Sequence, residues 1–300
     1  MNFLDVAKQD RSSIGLYLGG ISLLIVLYIL GNVPMLLDIK LNFPGLLFDP
    51  ENPGFIASYG SLRLFIGVLF PFVCLFFGLV CYLRYAHQRK WLRIFTAANA
   101  FRWKRFFAFG SVLLILFTII AFGEAYLTGQ TAQLYWNYKP ERFFPLLGVS
   151  LLMVPLQAAA EELIFRVYAL QGLFIRTKSV WLSVVFSSVF FALVHISNPE
   201  MSSLGPALLL YYLMAGLFLA LLTIQDDGLE LALAFHVFNN LFGVLLFSTD
   251  WQVFHTEALF LDQRGPGSLS FYILGSLLLF SLLYFVLAKI FSWKPLRTLR

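Results

Sequence analysis

Charge is the first scarcity. Only 12% of the 300 residues are Asp, Glu, Lys or Arg, while 60% are hydrophobic; a soluble domain carries about twice that charge. So few charged side chains cannot cover a water-facing surface, which excludes an ordinary soluble domain, and disorder, collagen and coiled coil with it. Cysteine is scarce too. Cys74 and Cys81 are the two present, seven apart on one predicted helix and so about 10 Å apart, too far to bridge. A disulfide-stapled secreted scaffold is therefore excluded. The sequence shows no internal repeat, where an inverted one would have favoured a transporter, and no low-complexity tract. It also lacks the His-Glu-x-x-His helix of many zinc peptidases.

What is abundant is apolar length. A hydrocarbon core of about 30 Å needs roughly 20 apolar helical residues, and such stretches recur near 14–37, 62–83, 106–127, 144–175, 179–196, 206–224, 229–247 and 270–291. The pattern predicts an all-α, polytopic membrane bundle of about eight transmembrane helices, integral to the cell membrane. Lys8 and Arg11 precede the first stretch as they would a signal peptide. That stretch is too long for a signal core and no small-residue cleavage site closes it, so it reads as a helix.

The net charge of +5 is topological, and no nucleic-acid partner follows from it. Seven basic residues fall in the connection 84–105, with more at Lys8, Arg11, Arg176, Lys178, Lys289, Lys294, Arg297 and Arg300. The alternate connections carry few, chiefly Lys40, Lys139, Arg142 and Arg264. The positive-inside bias then places both termini in the cytoplasm.

An ionisable side chain within a membrane span costs about 2.5–3.5 kcal/mol and is a functional candidate by default. Glu162 and Arg166 are four apart and share a helix face, so they read first as a self-neutralising pair. Glu161 lies about 100° round the helix, without a local cation; an unpaired carboxylate in a dry site suits a general base. Pro155 removes a backbone donor six residues earlier. His195 lies as far after the turn at Lys178 as Glu161 lies before it, which puts both at one depth, and Phe191 can pack over the His195 face. His236 and Asn240 share a face, with Asn239 beside them; they read equally as interhelical hydrogen bonding and as donors to a developing oxyanion. Glu124 reads as interfacial, and Asp226-Asp227 as a solvated turn.

Glu161-Glu162-Leu-Ile-Phe-Arg166, Phe191-Ala-Leu-Val-His195 and His236-Val-Phe-Asn-Asn240 resemble, in order, the EExxxR, FxxxH and HxxxN motifs of the CPBP family. These are the CAAX-processing (Rce1-type) and bacteriocin-processing intramembrane proteases, also called Abi proteins. On that resemblance residues 144–248 would be the catalytic core, 1–143 N-terminal transmembrane helices without an assigned role, and 249–300 a loop and a last helix. Glu161 would activate water with His195 assisting, His236 and Asn240 would stabilise the tetrahedral intermediate, and Glu162, Arg166 and Phe191 would support the site. The implied reaction is endopeptidase cleavage of a peptide or membrane-protein substrate at the bilayer, without an acyl-enzyme. No cofactor is favoured. A divalent metal such as zinc is compatible with two histidines and a glutamate, but asparagine is a poor zinc ligand and a glutamate–water mechanism uses every motif residue. Two other classes compete: a non-enzymatic immunity or scaffold protein, which would tolerate loss of Glu161, and a proton-coupled transporter, which would move substrate without cleaving peptide.

Overall fold

A computed structural model describes residues 2–49 and 53–295. Arg297 and Arg300, and the turn markers at 50–52, lie outside the described residues. The main helices are α1 (Ile14–Asn42), α2 (Ser61–Tyr85), α3 (Trp103–Leu127), α4 (Pro140–Thr177), α5 (Val180–Val194), α6 (Pro206–Gln225), α7 (Glu230–Leu246) and α8 (Leu269–Ile290). Six are long and apolar enough to cross a membrane; α5 and α7 are shorter. The chain is an integral, multi-pass membrane protein.

Local sequence explains the ends. Ser13, Ser179 and Ser268 stand before α1, α5 and α8, each hydroxyl accepting an N–H from the first turn at 3.3 Å, and Pro140 opens α4 where a missing N–H costs nothing. The sequence places His195 within the fifth span. Instead α5 stops at Val194 with His195 as its C-cap, because Pro199 starts the next short helix and Asn198 before it is extended.

Only 11% of the apolar window of α1 is buried, against 50% for α6. The molecule therefore has a lipid-facing periphery and an inner group in which α4 packs on α2 and α7, and α5 on α6. Close approach is bought with glycine: a Cβ at Gly31 would lie 2.5 Å from the Pro71 Cα across α1–α2, and one at Gly216 would lie 3.0 Å from the Ser188 Cα across α5–α6.

One rim carries a small sheet that sequence periodicity does not signal. Strand β3 (Phe260–Asp262) sits between β1 (Leu134–Trp136), antiparallel, and β2 (Phe247–Ser248), parallel. At the ends of α3 and α7, Arg102 meets Glu230 at 2.7 Å and Asp226 at 2.9 Å, and Arg105 also binds Asp226. Asp226 is thus buried, not the solvated turn residue its sequence context suggests, and Asp227 accepts the Phe3 N–H. Glu124 is partly exposed and faces Arg264 at 3.5 Å. Cys74 and Cys81 are both free thiols.

Candidate active site

The middle of α4 supplies the acids. Its backbone is α-helical through Glu162, then switches to π-helix over Leu163–Leu170 before returning to α. Such wide turns concentrate at functional positions. The motif portion of α7 is likewise followed by a π turn, Phe242–Leu246. Leu163, Val167 and Leu170 are fully buried on the π segment, which anchors the strand of side chains that precedes it.

Glu162 and Arg166 are sealed inside the protein, with Arg166 Nε 3.2 Å from Glu162 Oε2. The guanidinium also lies over the Phe191 ring at 4.6 Å and donates to the Gly216 carbonyl at 3.4 Å. It therefore ties α4 to α5 and α6. The other oxygen of Glu162 meets His236 Nδ1 at 2.8 Å, which ties in α7. Glu161 points elsewhere. Its Oε1 accepts from Gln157 Nε2 at 2.6 Å, while its Oε2 is buried with no hydrogen-bond partner among the described residues and faces His236 Nε2 at 3.7 Å.

His195 stands at the open side. Its Nδ1 is 2.6 Å from the Phe191 carbonyl; a carbonyl only accepts, so Nδ1 carries the hydrogen and Nε2 keeps a lone pair when the ring is neutral. The ring lies between Phe191 and Tyr212, with centroids 4.6 and 4.3 Å away. It makes no direct hydrogen bond to Glu161 but is within electrostatic reach of Glu161 and His236. Asn240 donates to Gln157 Oε1 at 2.9 Å and accepts from Asn239 at 3.2 Å. His195, Asn239, Asn240 and Tyr212 are half-buried whereas Glu162 and Arg166 are closed off. The constellation therefore grades from a dry interior to an accessible mouth. A cavity of about 470 Å³ is lined by Asn198, Trp251, His255, Phe65 and Tyr28 and by none of the motif side chains; Asn198 bonds the Tyr212 hydroxyl at 3.1 Å. A second cavity, of about 540 Å³ between Tyr59, Arg63, Arg142 and Glu257, holds none of these residues.

Residues 142–242 match the family model described as type II CAAX prenyl endopeptidase Rce1-like. This stretch is Rce1-like. The matched segment is about a third of the chain and contains all three motifs. Over 262 residues the chain is also 25% identical to an uncharacterized protein, YyaK, of Bacillus subtilis (strain 168), covering 86% of each. No solved structure matches it. The Rce1-like family is a protease family, so the match supports a peptidase within a membrane bundle.

The Rce1-like segment brings Glu161, Glu162, Arg166, His236 and Asn240 into one bonded cluster with Phe191 against it, and sets His195 at its edge. Two members escape the motifs. Gln157 sits one helical turn before Glu161, where the i, i+4 rule that pairs Glu162 with Arg166 would have found it. Tyr212 comes from α6, and no local spacing connects it to His195. As for a metal, no group of three His, Cys, Asp or Glu side chains among the described residues converges to hold one. Glu161, Glu162 and His236 come nearest, with His236 Nε2 3.7 Å from Glu161 Oε2. No step proposed for the site passes through a metal.

Proposed function

We propose that the chain is an intramembrane endopeptidase that hydrolyses peptide bonds of lipidated, leader-peptide or membrane-spanning substrates with water activated by Glu161. In this reading Glu161 Oε2 takes a proton from water as the oxygen attacks the peptide carbonyl carbon, with His195 holding the water through its free Nε2. Asn240 has a second N–H to offer the oxyanion. His236 can join it only as imidazolium, because its Nδ1–H is committed to Glu162. Two carboxylates, a guanidinium and an imidazolium then form a neutral set, the arrangement a low-dielectric interior tolerates best. Collapse of the intermediate expels the amine, which receives the proton from Glu161, and no acyl-enzyme forms.

The observation that carries this reading is the asymmetry of Glu161: one oxygen is held, while the other is buried, unpartnered and turned to an imidazole. The test uses purified, folded Glu161→Gln and His195→Ala proteins against a peptide library, with and without chelator. Activity is expected to fall about 10²–10⁴-fold for Glu161→Gln and to be insensitive to chelator. Cleavage that persists in both variants would refute the assignment, and loss by chelator alone would move the chemistry to a metal.

A further inference from the structure

Three side-chain amides run in line from the mouth of the site inward to Glu161. Asn239 donates to Asn240 (3.2 Å), Asn240 to Gln157 (2.9 Å), and Gln157 to Glu161 (2.6 Å). Their direction is dictated by chemistry at one end. An ionised carboxylate accepts and never donates, so Gln157 must turn its NH2 toward Glu161. Its carbonyl oxygen then faces Asn240, which must present its own NH2, and the Asn240 oxygen is left for Asn239. Reversing any one amide would set two acceptors against each other. One charge thus orients three neutral groups.

We propose that Gln157 is a positioning residue of the hydrolytic site: by engaging both Glu161 and Asn240, it selects the Glu161 oxygen that acts as base and the N–H of Asn240 that meets the oxyanion. The inference rests on the endopeptidase reading above. Gln157 is almost wholly buried, and its two side-chain hydrogen bonds both go to site residues. It occupies Oε1 of Glu161, so the proton taken from water is carried on Oε2, on the side shared with His236, and passes from there to the leaving nitrogen. Gln157 itself exchanges no proton. Engaging one N–H of Asn240 leaves the other to meet a second acceptor. Without that bond the amide is free to turn its oxygen toward a developing negative charge, which is repulsive. Gln157 touches neither water nor substrate in this scheme and acts only through its two partners.

The test is steady-state cleavage by the full chain in vesicles, with Glu161→Gln as the inactive reference. Gln157→Met keeps length and volume but can neither donate nor accept. Its kcat is expected to fall about 10–100-fold, the range for lost outer partners of a reactive centre, with KM unchanged. Adding Gln157→Met to Asn240→Ala should cost much less than it does alone, because part of its effect runs through Asn240. If Gln157→Met fails to fold, Gln157→Asn keeps the amide one methylene short of spanning both partners and is expected to lower kcat severalfold with KM unchanged. Unchanged kcat in a folded variant, or single effects that multiply in the double variant, overturns the assignment while leaving the protease reading intact. A wild-type chain that cleaves nothing overturns both.

Discussion

Replacing Arg166 by Met removes the permanent charge that faces both Glu161 and Glu162. The magnitude follows from burial. Arg166 and Glu162 are 1% and 0% exposed, so the pair is dry. An exposed pair of the same geometry would be worth about 0–1 kcal/mol, but breaking a buried one strands an uncompensated charge and costs about 3–5 kcal/mol. The stacking of the guanidinium on Phe191, worth up to about 2 kcal/mol when desolvated, disappears in the same substitution and is not added separately, since the contributions share one group. At about 2–4 °C per kcal/mol for a large domain, the apparent Tm should drop by at least about 6 °C. Tryptophan fluorescence during heating, in one detergent and at one scan rate, reads this directly. Glu162→Gln placed on top should recover more than half of the loss, because glutamine still accepts from His236 Nδ1 and leaves no stranded charge. A loss below about 1 kcal/mol for Arg166→Met, or further destabilisation on adding Glu162→Gln, would refute the account of Arg166 as the neutralising centre.

Two further perturbations probe the mouth of the site and the clasp between α3 and α7. Tyr212→Leu removes the ring stacked on His195, an interaction of about 0.5–1.5 kcal/mol, and should lower kcat/KM about threefold to tenfold; Tyr212→Phe keeps the stack and should stay close to wild type. Equal losses in the two would assign the effect to the hydroxyl and Asn198 instead. Burial pushes the Asp226 carboxyl up to about 6, against the opposing pull of Arg102 and Arg105. Its folded-state value lies above its ordinary one of 3.8, so between about pH 4 and 6 the folded chain holds the proton more tightly than the unfolded chain. This group therefore favours the fold most at low pH and loses that contribution as pH rises through about 6, by at most about 3 kcal/mol. The wild-type apparent Tm, measured relative to Asp226→Asn, should fall between pH 5 and 7.5; a flat difference over that interval would show that the arginines, not burial, govern the carboxylate.

The bundle and the Glu162–Arg166 pair are legible in the sequence because each rests on local information: apolar length gives the helices, and i, i+4 spacing gives the pair. Features made by distant partners are not. Asp226 lies in a short polar turn and reads as solvated, and its burial depends on Arg102 and Arg105, more than a hundred residues earlier. Tyr212 reaches His195 only because α5 ends at that histidine and packs along α6. The rim strands are two or three residues long, too short for an alternating pattern to register. His195 looks like a mid-span residue because the apolar run continues through Ile196, and the helix ends where backbone geometry before Pro199 ends it.

The π segment is the least legible element and has the largest consequence. Side-chain periodicity over Leu163-Ile-Phe cannot distinguish a normal turn from a wide one. In a regular helix Glu161 and Arg166, five apart, would be separated by about 140°, which is why the sequence suggests an acid without a cation. A π turn takes less rotation per residue, so it swings Arg166 back toward Glu161 while keeping it in contact with Glu162. One guanidinium then faces both neighbouring acids, ion-paired with the sealed one and at longer range from the one that points to the mouth. The two glutamates are chemically identical and adjacent. What separates them is 100° of helix rotation: it gives Glu162 two close ionic contacts and leaves Glu161 with one amide on one oxygen and only the longer 3.7 Å approach of His236 on the other. A long-range cation can stabilise a carboxylate without occupying its lone pairs, and the general base proposed at Glu161 has to meet both conditions at once.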